Sequence, residues 1–347
     1  MKKLFTVLLV LVTASLVFAG GGAQGGGGGA QSGGVTRGMD RKIVMGYSQI
    51  GAESEWRTAC TNSVKAAAEE WNVELIFSDA QQKQENQMQA LRSFIRQKVD
   101  VIGWTPVVET GWDAILQEIK DAGIPIICVD RQVTLAAGKR QEDYITAFIG
   151  SNMITESQKA VQWIVNYMKT TGNTKKKDDG KVDINVAILE GTTGSGAQVG
   201  RTEGWNQEIA KYPNYKTIFR QTGNFTRAEG QQVMEAWMKS PQANDIDVLF
   251  AQNDDMAIGA IDAIKAAGKK PATDIIIVSI DAVKGAFDAM LRKELNATIE
   301  CNPLLGPQVM ETAVKILNKQ PITWWVESVE SQFDWTNAEA AYPGRQY

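Results

Sequence analysis

Three times in this chain a run of apolar residues stops on groups that are expensive to bury. Ile126-Ile127-Cys128-Val129 ends in Asp130-Arg131, Val248-Leu249-Phe250-Ala251 ends in Gln252-Asn253-Asp254-Asp255, and the run from Ile275 ends in Asp281. Continuous apolar runs are how strands buried on both faces of a parallel sheet read. Open α/β sheets bind ligands at the carboxyl ends of such strands. Strands far apart in sequence therefore deliver charged and amide groups to one polar site.

Strand and helix patterns alternate along the whole chain. Strands are predicted at 43–48, 73–78, 101–104, 126–129 and 144–149, with helices at 55–71, 83–98 and 110–122 between them. The helix over 83–98 shows Met88, Leu91, Phe94 and Ile95 on one face. The pattern then restarts, with helices at 154–168, 197–211, 227–239, 256–267, 283–292 and 307–317. Strands at 184–189, 217–220, 248–251, 275–279 and 297–300 separate them. Such alternation implies parallel sheets covered by helices on both faces. A restart near residue 151 implies two similar doubly wound α/β domains.

The amino terminus sets the compartment. Lys2 and Lys3 precede an apolar stretch from Leu4 to Leu16, followed by Val17-Phe18-Ala19. This is the layout of a secretory signal peptide, cleaved near Ala19. The stretch is shorter than the roughly 20 residues of a membrane span. Gly20 to Gly34 is almost wholly Gly, Ala and Gln, a composition that builds no core and reads as a flexible tether. The folded part is expected to begin near Asp40.

Composition narrows the chemistry. The formal net charge is −4, and loss of Lys2 and Lys3 with the leader takes it near −6. A nucleic-acid partner would call for a basic face. The chain has no histidine, which removes Ser-His-Asp triads, Cys-His pairs and histidine metal sites. Cys60, Cys128 and Cys301 lack paired spacing and read as buried free thiols, although an oxidising compartment permits one disulfide. Neither a cofactor nor a metal is expected. The glycines from Gly191 to Gly200 follow a strand and open a helix, yet the spacing is not G-x-G-x-x-G. No acidic residue ends the next strand, where a ribose would need one. They read as a tight turn beside a ligand. Asp254-Asp255 could be an acid/base pair, but adjacent acids at a helix start fit a cap and a dipole-complementing charge better.

The candidate cleft residues are Asp130, Arg131, Asn253 and Asp281, with Arg57, Arg201 and Arg227 near helix starts. Carboxylates accept, guanidinium donates in a fixed plane, and an amide does both; vicinal sugar hydroxyls suit all three. Trp56 and Phe225 follow strand ends, where ring faces can cover the apolar C–H patches of a sugar.

Seven segments together resemble the periplasmic sugar-binding proteins of ABC transporters in the ribose/galactose-binding family, and its galactofuranose-binding members most. They are Gly46 to Arg57, Asp79 to Gln87, Thr105 to Trp112, Val129 to Arg131, Gly223 to Arg227, Gln252 to Ala260, and Ser279 to Asp281. The resemblance runs from about Lys42 to Tyr347. It implies a type I binding-protein fold, two lobes joined by hinge crossings around a ligand cleft. The lobes are expected at 40–151 with about 302–330, and at 152–301 with about 331–347. Carried over, Ser48, Trp56 and Arg57 line the cleft from the first strand, Thr105 meets ligand from the third, and Asp130-Arg131 grip ring hydroxyls. Arg201 supplies the second lobe's arginine, Phe225 its stacking ring, Asn253 its amide and Asp281 a carboxylate near a crossing. Cys301 stands where ribose binders place a glutamine. The implied role is capture of a monosaccharide by a monomeric periplasmic protein that delivers it to a membrane permease. A sensory module for a membrane receptor and an exported saccharide-acting enzyme are the alternatives.

Overall fold

The protein is described here from a computed structural model over residues 41–347. The expected leader and glycine tether lie outside the described residues. Among the described residues no helix is long and apolar enough to cross a membrane.

The first sheet is built from β1 (Val44–Gln49), β2 (Glu74–Asp79), β3 (Val101–Trp104), β4 (Ile126–Val129) and β5 (Ala147–Gly150). Helices α1 (Glu55–Glu70), α2 (Gln84–Gln97) and α3 (Asp113–Asp121) connect them. After α4 (Met153–Thr170) a second sheet follows: β6 (Ile184–Glu190), β7 (Tyr215–Thr222), β8 (Val248–Ala251), β9 (Ile276–Asp281) and β10 (Ala297–Glu300). Its helices are α5 (Gly196–Ile209), α6 (Arg227–Met238), α7 (Asp254–Ala266) and α8 (Lys284–Leu291). The chain then returns through α9 (Gly306–Leu317), β11 (Trp325–Glu327), β12 (Gln332–Asp334) and the short α10 (Ala338–Ala341).

The orders are β11-β5-β4-β3-β1-β2 and β12-β10-β9-β8-β6-β7. Every pairing is parallel except β12 against β10. The chain therefore passes between the sheets three times: after β5, after β10, and between β11 and β12. The expected fold, two doubly wound α/β lobes, is what the protein has. The strands β3, β4, β5 and β8 are buried at every residue, which is why they read as unbroken apolar runs.

Each lobe has its own aromatic core. Trp104 and Trp112 meet edge to face at 4.8 Å in the first, and Trp205 stacks on Phe250 at 4.6 Å in the second. Helices α6 and α7 approach backbone to backbone at Gly259, where a Cβ would fall 2.1 Å from the Arg227 carbonyl oxygen. Two edge strands and the terminal helix escaped the sequence reading. Strands β11 and β12 have three residues each, too few to show a period. The expected helix at 110–122 starts only at Asp113, because Gly111 turns with φ +87°.

Candidate functional site

The strand ends of both sheets face one cavity. It is lined by Glu53, Ser54, Trp56, Arg57, Asp130, Arg131, Ala197, Arg201, Phe225, Asn253, Asp281 and Cys301. From the first lobe, the loop after β1 supplies Glu53 and the first turn of α1 supplies Trp56 and Arg57; Ser54 caps that helix by accepting from the Arg57 N–H at 3.1 Å. Arg57 donates to Asp130 at 2.6 Å and to Glu53 at 3.1 Å. Its guanidinium also lies 4.6 Å from the centre of the Trp56 ring. Burial would lower the Arg57 pKa, but Asp130 and Glu53 outweigh it and hold the group firmly cationic. Arg131 is less well paired. Burial, with Arg57 beside it, brings its pKa down to about 10, still a cation at neutral pH.

The second lobe contributes Arg201 from α5, which donates to Glu156 at 2.8 Å and to Asp281 at 3.3 Å. Burial raises the Asp281 pKa well above the carboxylate range, against the pull of Arg201. Phe225 is 4% exposed, with Arg131 5.3 Å and Arg201 5.8 Å from its ring centre. Its ring fits because residue 191 is glycine: a Cβ there would sit 1.9 Å from a ring carbon. Asn253 caps α7 by accepting from the Met256 N–H at 3.0 Å and donates to the Phe225 carbonyl at 3.0 Å.

Three of the liners hold left-handed backbone: Asp130 (φ 67°), Phe225 (φ 63°) and Asp281 (φ 126°). Such conformations cost on the order of 1–3 kcal/mol in non-glycine residues and gather at ligand sites. The Arg57 Nη1, Arg131 Nε and Glu53 Oε2 atoms are buried without a hydrogen-bond partner, so donors and acceptors remain available towards the cavity.

Eight of the ten expected ligand contacts come together here. The other two, Ser48 and Thr105, are buried behind the cavity wall and do not line it. Thr105 bonds the Tyr47 hydroxyl at 3.2 Å, and the Ser48 carbonyl receives the Thr105 N–H at 3.0 Å. Arg227, also considered from sequence, stands at the rim, 3.2 Å from Asp255 and 3.7 Å from Glu55. Glu53 was missed, although its spacing four residues before Arg57 is the signal of a helical ion pair. The three cysteines are free and buried. The Gly191–Gly200 tract forms the turn into α5, where Gly194 accepts from the Glu109 N–H of the other lobe at 2.8 Å. Asp254 is held by Ser279, Thr298 and the Val283 N–H. Asp255 accepts the Glu55 N–H across the cleft at 2.8 Å. Neither residue lines the cavity.

Residues 45–321 match the periplasmic binding protein domain family. The chain belongs to that family. It is 42% identical over 267 residues to the galactofuranose-binding protein YtfQ of Escherichia coli (strain K12), covering 76% of this chain and 79% of that one. A Mycobacterium smegmatis protein crystallised with β-D-fucofuranose superposes with TM-score 0.80 at 48% identity, covering 88% of this chain and 95% of that one. The binding component of an arabinose ABC transporter from Shewanella sp. ANA-3, bound to α- and β-L-arabinofuranose, gives TM-score 0.80 at 40% identity, over 88% and 96% of the two chains. Members of this family are binding proteins, and these relatives bind monosaccharides.

Proposed function

We propose that this chain is the solute-binding component of an ABC sugar importer and captures a monosaccharide in its furanose form, with a galactofuranose-like sugar favoured. The observation that carries the reading is the balance of the cavity. Glu53, Asp130 and Asp281 face Arg57, Arg131 and Arg201, with one aromatic ring from each lobe. Several acceptors set beside several donors suit a neutral ligand rich in hydroxyls, since each hydroxyl both donates and accepts. The rings suit its C–H faces. Furanose is favoured because the three relatives named above are described with furanoses of three different kinds.

The ligand contacts in this reading are Trp56, Arg57, Asp130, Arg131, Arg201, Phe225, Asn253 and Asp281, with Ser48 and Thr105 supporting the wall behind them. The lobes comprise 40–151 with about 302–330, and 152–301 with about 331–347; the membership of β11 in one sheet and β12 in the other supports these bounds. The protein acts exported and monomeric, closes on its sugar, and passes it to a membrane permease. It binds without turnover: Asp254 and Asp255 are engaged in holding β9 to β10 and the cleft rim.

Calorimetric titration of the mature chain from Gly20 with galactose, ribose, arabinose and a galactofuranoside tests this. One-to-one binding that is strongest for the furanoside is expected, with no product by chromatography. Silence with every sugar would overturn the sugar assignment, and product would favour the enzyme alternative. Sensing in place of transport would show as retained binding with uptake unaffected by deletion of the gene.

A further inference from the structure

Outside the cavity, the three passages between the lobes meet at one carboxyl group. Glu330 lies on the third passage. Its Oε1 accepts from the Ser151 hydroxyl on the first and from the Asn302 N–H on the second, at 3.3 Å. Ser151 also lies 3.4 Å from the Cys301 thiol, and the Cys301 carbonyl accepts the indole N–H of Trp56 at 2.6 Å. A contiguous chain of contacts thus runs from Glu330 through the second passage to a ring that faces the cleft.

We propose that Glu330 is a positioning residue that clasps the three crossings, and that its protonation sets the balance between open and closed lobes. This rests on the reading that closure traps a sugar. Rotation of one lobe against the other must shift the crossings relative to one another, so the pocket around Glu330 differs between the two states. The charged groups around it are Glu156 and Lys159 on α4 and Arg201 on α5, with the neutral Cys301 thiol beside them. Lys159 donates to the Glu330 backbone carbonyl at 3.3 Å rather than to the carboxyl. Arg201 is engaged by Glu156 and Asp281. Among the described residues no cation therefore contacts the carboxyl directly, and with the lobes placed as they are here burial, reinforced by Glu156, pushes its pKa up to about 9.

The sign follows from linkage. Opening loosens the clasp and returns the carboxyl towards its ordinary range, so closure takes up a proton. Closure is favoured fully below the open-state value, and that advantage is lost as pH rises through the closed-state value. Affinity falls by at most roughly ten-fold per pH unit within that window.

The experiment is sugar titration of wild type and Glu330→Gln from pH 6 to pH 9, with small-angle scattering of both chains without sugar. Glutamine keeps an oxygen for Ser151 and Asn302 but cannot ionise. Wild-type affinity is expected to fall on the order of ten-fold or more over this range, while the variant's stays flat. The wild-type radius of gyration is expected to grow with pH, and the variant's to stay constant. A flat wild-type profile, or the same fall in both proteins, overturns the proposal. If no sugar binds at any pH, the sugar reading fails, and scattering alone still decides the clasp. If Glu330→Gln does not fold, Ser151→Ala replaces it. Loss of that stabilising hydroxyl is expected to move the wild-type transition to higher pH, and an unmoved transition overturns the proposal.

Discussion

Asp130 concentrates the trade-off in the site. It holds left-handed backbone, accepts the shortest of the Arg57 ion pairs at 2.6 Å, and stands 3% exposed in the cavity wall. A Cβ at residue 150 would fall 3.0 Å from the Asp130 Cα, so glycine there leaves room for this backbone. Truncation to alanine would leave Arg57 with Glu53 alone. Breaking a buried pair in that way costs about 3–5 kcal/mol of stability, which would confuse folding with binding. Asp130→Asn keeps the shape and removes the charge. Loss of a charge-assisted hydrogen bond worth about 2–3 kcal/mol predicts sugar binding roughly 30- to 150-fold weaker, with the far-ultraviolet circular dichroism unchanged. Titration calorimetry on the refolded variant checks this, and wild-type affinity would remove Asp130 from the ligand contacts. The residue scale is also where sequence was most and least informative. Asp130, Arg131, Asn253 and Asp281 announced themselves because they end apolar runs. Ser48 and Thr105 lie at strand ends as well, yet a strand end has two sides, and the Thr105 hydroxyl turns to the Tyr47 hydroxyl at 3.2 Å, a choice that no local pattern records.

At the scale of elements, α7 does two jobs with adjacent acids. Asp254 fastens β9 and β10 together through Ser279, at 2.5 Å, and Thr298, at 2.8 Å. Asp255 reaches across the cleft to the amino end of α1, where a carboxylate complements the helix dipole. Burial raises the Asp254 pKa to about 7 even against its three hydrogen bonds. A group whose pKa is raised on folding stabilises fully below its unfolded value and loses that contribution as pH rises through its folded one. Thermal unfolding from pH 5 to pH 8 should therefore show Asp254→Asn gaining on wild type as pH rises; parallel curves would refute this. The long helices and the central strands were legible because each carries enough residues to show a period and is buried on a fixed face. The edge strands β11 and β12 were not, since three residues half exposed carry neither alternation nor an apolar run. Their sheet membership is decided by the crossings.

For the whole molecule, few direct bonds join the lobes outside the cavity among the described residues. The Glu55–Asp255 bond and the Glu109–Gly194 bond span the lobes, and Arg227 bridges Glu55 and Asp255 at the half-exposed rim. An exposed ion pair of this kind contributes about 0–1 kcal/mol. The lobes are thus latched lightly, and a ligand able to bond both has leverage over their balance, since only differential contacts shift such an equilibrium. Arg227→Ala is expected to weaken binding by no more than about five-fold, in keeping with that range, and chiefly through faster dissociation in stopped flow. A loss a hundred times larger would place Arg227 in contact with the sugar.

The cavity wall has a kinetic consequence. Trp56, Arg57, Asp130, Arg131, Arg201, Phe225, Asn253, Asp281 and Cys301 are each 1–4% exposed, so a sugar bound among them has little direct contact with solvent. Escape waits for the lobes to part, and residence time becomes a property of the hinge rather than of the cargo alone. A protein built this way is a timed container, opened early only by whatever pries its two halves apart.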